Sequence, residues 1–310
     1  MNKKIFIAGS YNADICGVGK AIPKPGETFI GELFVSSGGK GSNQAIAAKK
    51  LGGDVTFITK LGNDGYADKA VELYKSLELY SESVYIDEAS HTGVALILID
   101  DDGKNSIMVC PGANLKLTAE EMTTPVLKEK NSAFIAGFQL ECDVAEVCKA
   151  IEILNKAGVQ TLLDPAPAAE LPDSLYPCIS IFKPNEHEAA FLSGIIINNA
   201  DDAFRAGEFF LTKGVGTAII TMGEKGTVIC GKDVKKYTET PKVKAVDTTG
   251  AGDIFSGAFM TALADGAGVV EAVEYAQIAA SISVTRKGVC DAVPAQDEVL
   301  RFADSLSKSS

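Results

Sequence analysis

The segment Val246-Asp247-Thr248-Thr249-Gly250-Ala251-Gly252-Asp253 holds the residues with the clearest chemical capacity. Two glycines and an alanine let backbone amides line a concave turn, and an amphipathic run, IFSGAFMTALA, follows at once. A glycine turn that opens a helix presents unpaired N–H groups and the positive end of the helix dipole, which is the chemistry of an anion site. Asp253 has two readings from its position. It is either a charge partner of the helix N-terminus, or a base kept ionised by the same dipole beside a developing oxyanion. The turn lacks the lysine of GxxxxGK[ST], so it is not a Walker loop. No GxGxxG follows a strand, which disfavours a nicotinamide dehydrogenase.

A second cluster, Ser36-Ser37-Gly38-Gly39-Lys40-Gly41-Ser42-Asn43-Gln44-Ala45, also opens a helix. It reads either as a tight turn or as a backbone cradle. In the second case Lys40 and Asn43 would supply the donors and acceptors that a polyhydroxylated ligand needs. In Asn185-Glu186-His187-Glu188 the acids are candidates for positioning Mg²⁺ through water, since that ion keeps several waters. His187 reads as a helix-surface residue, because the only other histidine, His91, lies in no plausible partner segment.

These residues must be positioned by a recurring unit. Short apolar runs at 4–9, 55–60, 133–138, 159–163, 179–183 and 216–221 alternate with longer amphipathic segments, the βαβ rhythm of a mostly parallel sheet. Helices are expected at 41–51, after the caps Thr118 and Asp143, and at about 200–213, 252–264, 270–285 and 295–306. Polar residues follow strand after strand: Asn12 and Asp14, Gln139 and Glu141, Asp164, then Asn185 and Glu188. Ligands of open parallel sheets bind outside the carboxyl ends of the strands, so these side chains are expected to share one crevice. Two regions break the rhythm. Residues 90–112 read as a hairpin around an Asp-Gly turn, and 12–36 are strand-like around Pro23–Gly26. Together they suggest a small antiparallel sheet beside the main one. Residues 305–310 read as a polar tail.

Composition bounds the rest. The chain has 310 residues, with 29 Lys+Arg against 41 Asp+Glu, a net charge of −12. That balance argues against a nucleic-acid partner, which favours a basic stripe, but not against a phosphate held by backbone amides. Seven cysteines without a CxxC pair suggest reduced thiols and a cytoplasmic home rather than a disulfide framework or a zinc knuckle. The opening residues read as a first strand, not a signal peptide, and no stretch approaches the ~18 apolar residues of a membrane span.

With these residues in hand, the chain resembles the phosphofructokinase-B (ribokinase-like) carbohydrate kinase family. GGKGSNQA at 38–45 and DTTGAGD at 247–253 carry the likeness. GSYNAD at 9–14, PGET at 25–28, TGVALI at 92–97, PGAN at 111–114, QLE at 139–141, DPAPA at 164–168, KPNEHE at 183–188 and VTRKG at 284–288 support it in order. GGKGxNQA is the form of the family's ribokinase branch. The resemblance implies a single ribokinase-like α/β kinase domain over 1–310. Its fold would be three-layer α/β/α, with a mostly parallel central sheet and a small β-sheet lid from about 12–36 and 90–112. It implies phosphorylation of the 5-hydroxyl of D-ribose by ATP with Mg²⁺, activation by K⁺, and a homodimer joined through the lids.

Residue by residue, the resemblance places Asn12, Asp14, Gly39, Lys40, Gly41, Ser42, Asn43 and Glu141 around the sugar. Asp253 would be the base, with Gly250, Ala251 and Gly252 as the anion hole. Asn185 and Glu188 would serve phosphate and, through water, Mg²⁺. The segment Thr221, Met222, Gly223, Glu224, Lys225 and Gly226 would lie along the nucleotide, with Gln277 near the adenine. Asp247, Thr249, Ser283, Arg286, Gly288 and Ala292 match the loops that enclose a monovalent cation, although Ala292 stands where relatives often carry a hydroxyl. Within the family, deoxyribose or a nucleoside is the alternative acceptor. From another class, a non-catalytic sugar-binding relative is disfavoured because a binder needs neither Asp253 nor the glycine hole.

Overall fold

The computed structural model describes residues 3–307. Nine strands form the main sheet. In chain order these are β1 (Lys4–Ala8), β4 (Val55–Gly62), β5 (Val84–Asp87), β8 (Ala133–Phe138), β9 (Gln160–Leu163), β10 (Ile181–Phe182), β11 (Thr217–Thr221), β12 (Thr227–Gly231) and β13 (Lys235–Thr238). Their spatial order is β13-β12-β11-β10-β9-β8-β1-β4-β5, parallel from β11 to β5, with β12 and β13 antiparallel at one edge. Four further strands, β2 (Asn12–Val18), β3 (Glu32–Gly38), β6 (Val94–Ile99) and β7 (Asn105–Cys110), form a separate sheet of order β3-β2-β6-β7. That sheet is mixed rather than the antiparallel one expected, because β2 and β6 run parallel.

Alternation along the buried strands divides the core in two. Ile5, Ile7, Phe57, Ile135 and Ile219 face one side, where α1 (Lys40–Lys50), α2 (Gly65–Ser76), α7 (Ala251–Ala264), α8 (Val269–Ser283) and α9 (Gln296–Ser307) pack. Phe6, Ala8, Phe138, Ala218 and Ile220 face the other, against α3 (Ala119–Lys128), α4 (Val144–Lys156), α5 (Glu186–Ser193) and α6 (Ala200–Thr212). The result is the three-layer arrangement with helices on both faces of a mainly parallel sheet.

The helix starts follow their caps. Thr118 accepts from the Glu121 amide while Glu121 reaches back, a full capping box, and Asp143 accepts from the amides of Ala145 and Glu146. Elements α2, α5, β5, β12 and β13 add to those read from the sequence. The segment expected as a tail is helical through Ser307, and residues 308–310 lie outside the described part. Among the described residues no helix is long and apolar enough to cross a membrane.

Candidate active site

Glycines close the junction between the two sheets. A Cβ on Gly39, whose φ is +88°, would sit 2.7 Å from the backbone of Tyr11 and Asn12, and one on Gly41 would sit 2.6 Å from Gly9. Only hydrogen fits at either position. The start of α1 is thereby pressed against the end of β1 and the start of β2. The second glycine cluster is thus a close-packing device that also brings Lys40 and Asn43 to the crevice. Ser42 corrects the expectation of a sugar contact, because it is fully buried and its hydroxyl accepts from Tyr74 Oη at 3.0 Å.

Glu141, just beyond β8, gathers the first group of side chains. Its Oε2 accepts from Ser10 Oγ at 2.6 Å, from the Lys40 amide at 3.0 Å and from Asn12 Nδ2 at 3.4 Å. Asn12 Oδ1 in turn accepts from Asn114 Nδ2, which ties β2 to the turn after β7. Asp14, on β2, is pushed up to about 7 by burial and by the nearby Glu141 charge.

Asp253 lies in the first turn of α7 and is 5% exposed. Its Oδ2 accepts from Asn43 Nδ2 at 3.0 Å and its Oδ1 from Gln44 Nε2 at 3.3 Å. Burial raises its pKa and Lys40 opposes that rise. Lys40 is raised in turn, by the Asp253 carboxylate first, with Asp164, Glu141 and Glu188 adding to it against burial. Gly250 takes the left-handed conformation at φ +72°, and a Cβ there would meet Val289 at 2.4 Å. Among the described residues the amides of Gly250 and Gly252 have no acceptor, while that of Ala251 bonds Thr248 O at 3.3 Å. Gly252 is exposed, so the open amides border the crevice. Free donors at a helix start, next to a buried carboxylate, form the layout of an anion hole with a base beside it.

Asn185 and Glu188 form a capping box at α5. Asn185 Oδ1 accepts from the amides of His187 and Glu188, while Glu188 accepts from the Asn185 amide and Nδ2, both at 2.9 Å. Burial first and Asp164 second raise Glu188, with Lys183 opposing. His187 is exposed, as its helix position suggested.

In the segment expected along the nucleotide, Thr221 bridges Asn185, the Met222 amide bonds Gly226 O at 2.9 Å, and Gly223 and Gly226 hold positive φ. Glu224 and Lys225 are exposed, whereas the Met222 side chain belongs to the core and leaves only backbone for a ligand. Gln277 is buried. Its Nε2 donates to Thr227 Oγ1, Thr238 O and Thr240 Oγ1, and Thr240 Oγ1 donates to Gly223 O. Gln277 therefore ties β12 and β13 to the Gly223 turn, with its Oε1 unpartnered.

Asp247 joins the loops around the glycine turn. It accepts from the amides of Thr249 at 2.9 Å and Gly288 at 3.0 Å. Burial opposes its ionisation, but these donors prevail and hold its pKa below the usual range. Ser283 is buried with its hydroxyl on Ala280 O, Arg286 turns its guanidinium to Glu298, and Ala292 is buried without a polar side chain.

Gln139 and Asp164, expected at the crevice, lie buried below it with three residues that had no role in the sequence reading: Gln44, Lys183 and Ser256. Lys183 and Asp164 form an ion pair at 3.1 Å with both side chains at most 4% exposed. A lysine closing the apolar run ISIFK was the one signal for it, since a strand buried on both faces rarely ends in an unpaired charge.

A mainly parallel sheet with a buried carboxylate beside open amides at a helix start is a layout suited to transferring a phosphoryl group to a small hydroxylated acceptor. The chain belongs to the pfkB family of carbohydrate kinases, whose model matches residues 3–296. It is 37% identical to the ribokinase of Staphylococcus aureus over 302 residues, 96% of this chain and 99% of that protein. It is 35% identical to the deoxyribokinase of Salmonella typhi, over 95% of this chain and 96% of that one. The structure of Arabidopsis thaliana ribokinase complexed with ribose and ATP superposes with a TM-score of 0.91 at 30% identity, covering 97% of this chain and 99% of that one.

Proposed function

We propose that the chain transfers the terminal phosphoryl group of ATP to the 5-hydroxyl of D-ribose, giving D-ribose 5-phosphate and ADP. The observation that carries this reading is the buried Asp253 carboxylate, bonded to Asn43, at the helix start where the Gly250 and Gly252 amides are open. Asn12, Asp14, Gly39, Lys40, Asn43 and Glu141 read the sugar hydroxyls. Asp253 takes the hydroxyl proton as the acceptor oxygen bonds to phosphorus and the bond to the ADP oxygen breaks. The open amides face the charge that builds on the transferred group, so catalysis is mainly positioning and charge stabilisation.

The nucleotide lies along 221–226, with Gln277 bracing that turn from behind. Mg²⁺ fits as a hydrated ion beside Asn185 and Glu188, because each Glu188 oxygen accepts one hydrogen bond and keeps lone pairs for bound water. It neutralises phosphate charge when bound. A monovalent cation, K⁺ in this reading, would be held by Asp247, whose oxygens each accept one amide and keep a lone pair, with backbone oxygens of Thr249, Ser283, Arg286, Gly288 and Ala292. When bound it would stiffen the loops flanking the hole. The free cysteines support a cytoplasmic enzyme, and a homodimer through the small sheets completes the reading.

ADP release measured across ribose, 2-deoxyribose, fructose, adenosine and pseudouridine tests the acceptor. Ribose is expected to exceed 2-deoxyribose by at least about tenfold in kcat/KM, roughly 1.4 kcal/mol. The likeness to a deoxyribokinase makes 2-deoxyribose the second acceptor to consider. Equal efficiency, or a clear preference for a nucleoside, overturns ribose while leaving the family assignment intact.

A further inference from the structure

Beneath Asp253 lies a layer of polar side chains sealed from solvent. Gln44 is fully buried, Gln139 is 1% exposed and Asp164 is 3% exposed. Gln44 Nε2 donates to two carboxylates, Asp164 Oδ2 at 3.1 Å and Asp253 Oδ1 at 3.3 Å. An amide group has two N–H hydrogens, so one nitrogen serves both acids. Its orientation is fixed from behind, because Gln139 Nε2 donates to Gln44 Oε1 at 2.7 Å. Gln139 itself fits only because residue 9 is glycine: a Cβ there would lie 2.0 Å from Gln139 Oε1. Asp164 is held by Lys183 at 3.1 Å and by Ser256 Oγ at 3.1 Å.

We propose that Gln44 is a positioning residue for the base. Its carboxamide, oriented by Gln139, fixes Asp253 Oδ1 and stands between that carboxylate and Asp164. The proposal rests on Asp253 being the base, and it assigns work to three residues, Gly9, Gln44 and Gln139, of which only Gln44 touches Asp253. Asp253 is faced by Lys40 from α1, by Asp164 beyond β9 and by Glu141 beyond β8. Of these only Lys40 favours the anion; the Asn43 hydrogen bond adds to it, and Gln44 is the donor that reaches the other carboxylate oxygen. Without the Gln44 donor one buried oxygen of Asp253 loses its partner, and the ionised form becomes harder to hold.

The test compares Gln44→Met and Gln139→Met with wild type, using whichever acceptor the wild-type protein phosphorylates. Methionine keeps the shape and removes the donors. In Gln44→Met the acid limb of the kcat–pH profile should move up by about one unit, so that kcat falls about tenfold at pH values below the limb and little above it, with the sugar KM changing little. Gln139→Met, which frees the Gln44 amide to turn, should move the limb the same way by less, and it carries the test if Gln44→Met fails to fold. An acid limb that stays in place, or a raised KM with kcat intact, overturns the proposal. The base reading fails separately, through an Asp253→Asn variant that keeps wild-type kcat.

Discussion

Two carboxylates in the crevice invite opposite expectations. A primary hydroxyl is a poor nucleophile at neutral pH, and the proposed reading has Asp253, beside the open amides, accept its proton. General-base losses run ~10²–10⁴-fold, about 3–5 kcal/mol of barrier. Asp253→Asn keeps the size and the contact with Asn43 but not the basicity. It is expected to lower kcat by that order while ribose and ATP bind with similar affinity. Purified protein assayed for kcat and both dissociation constants checks this, and a kcat within a few-fold of wild type would make Asp253 a helix-terminal charge. Asp14 makes its mark on stability instead. Its folded pKa, about 7, lies above the ordinary 3.8, so the folded state binds the proton more tightly than the unfolded chain does. The associated stability is present below about pH 4 and is lost as pH rises through 7. In the ligand-free protein, Asp14→Asn should therefore gain stability relative to wild type between pH 4 and 7. The gain is about 1.4 kcal/mol per unit, reduced by partial solvent contact, and is constant above that range. Denaturation midpoints at pH 5 and 8 measure it; a pH-independent difference would show that Asp14 ionises freely. Asp253 and its glycines were legible because one contiguous motif holds them. The Gln44 layer was legible only in part: Gln139 and Asp164 were expected at the crevice because they follow strands, whereas Gln44, Lys183 and Ser256 join them only when the sheet closes.

At the scale of elements, the glycine turn depends on two loops held together by one carboxylate. Asp247 accepts an amide from each, and the Val246 and Asp247 amides both bond Val284 O, at 2.7 and 3.1 Å. A cation among the carbonyls of these loops would hold Gly250–Gly252 in register. Activity at fixed Mg²⁺ is expected to be higher in K⁺ than in Na⁺ or a bulky organic cation. Indistinguishable rates would leave Asp247 as a loop tether alone. The strands of the parallel sheet were legible from apolar runs and the major helices from their caps, because both signals are local. The missed elements lacked them. β5 has only four residues and β13 is the polar edge Lys-Lys-Tyr-Thr, so neither shows a clear period. α2 has its cap in Asp64, which accepts from the Tyr66 and Ala67 amides, but its first turn contains a glycine and an aromatic that blur the helical pattern. α5 is short and hides inside a motif read for its acids.

At the scale of the whole molecule, the small sheet leaves apolar side chains exposed on both faces, with Phe34, Ile107 and Val109 on the face of Asp14 and the two most exposed, Leu33 and Met108, on the other. Cross-strand pairing sets Val35, Ile15, Leu96 and Met108 in one row of the small sheet and Leu33, Gly17 and Leu98 in the next row on the same face. Asp14 pairs with Ser36 and Ala95 on the opposite face, which is the one turned to Glu141 and the crevice. The face bearing Leu33 and Met108 therefore points away from the site. Leu33 is 70% exposed and Met108 64%, with Val35, Leu96 and Leu98 exposed beside them. Such a contiguous apolar face on a four-stranded sheet is a surface that soluble proteins cover, and a two-fold pair is the commonest cover. A sheet meeting its own copy buries these rows against each other and holds both lids over their crevices. A homodimer joined through these faces is therefore expected, with twice the chain mass by light scattering at micromolar protein. Met108→Glu with Leu33→Glu places four carboxylates in that interface, where they would be desolvated unpaired, and should yield a folded monomer. Wild type running as a monomer would sink the idea outright. A charged variant that stays dimeric would move the interface off the lid and leave the apolar face needing another partner.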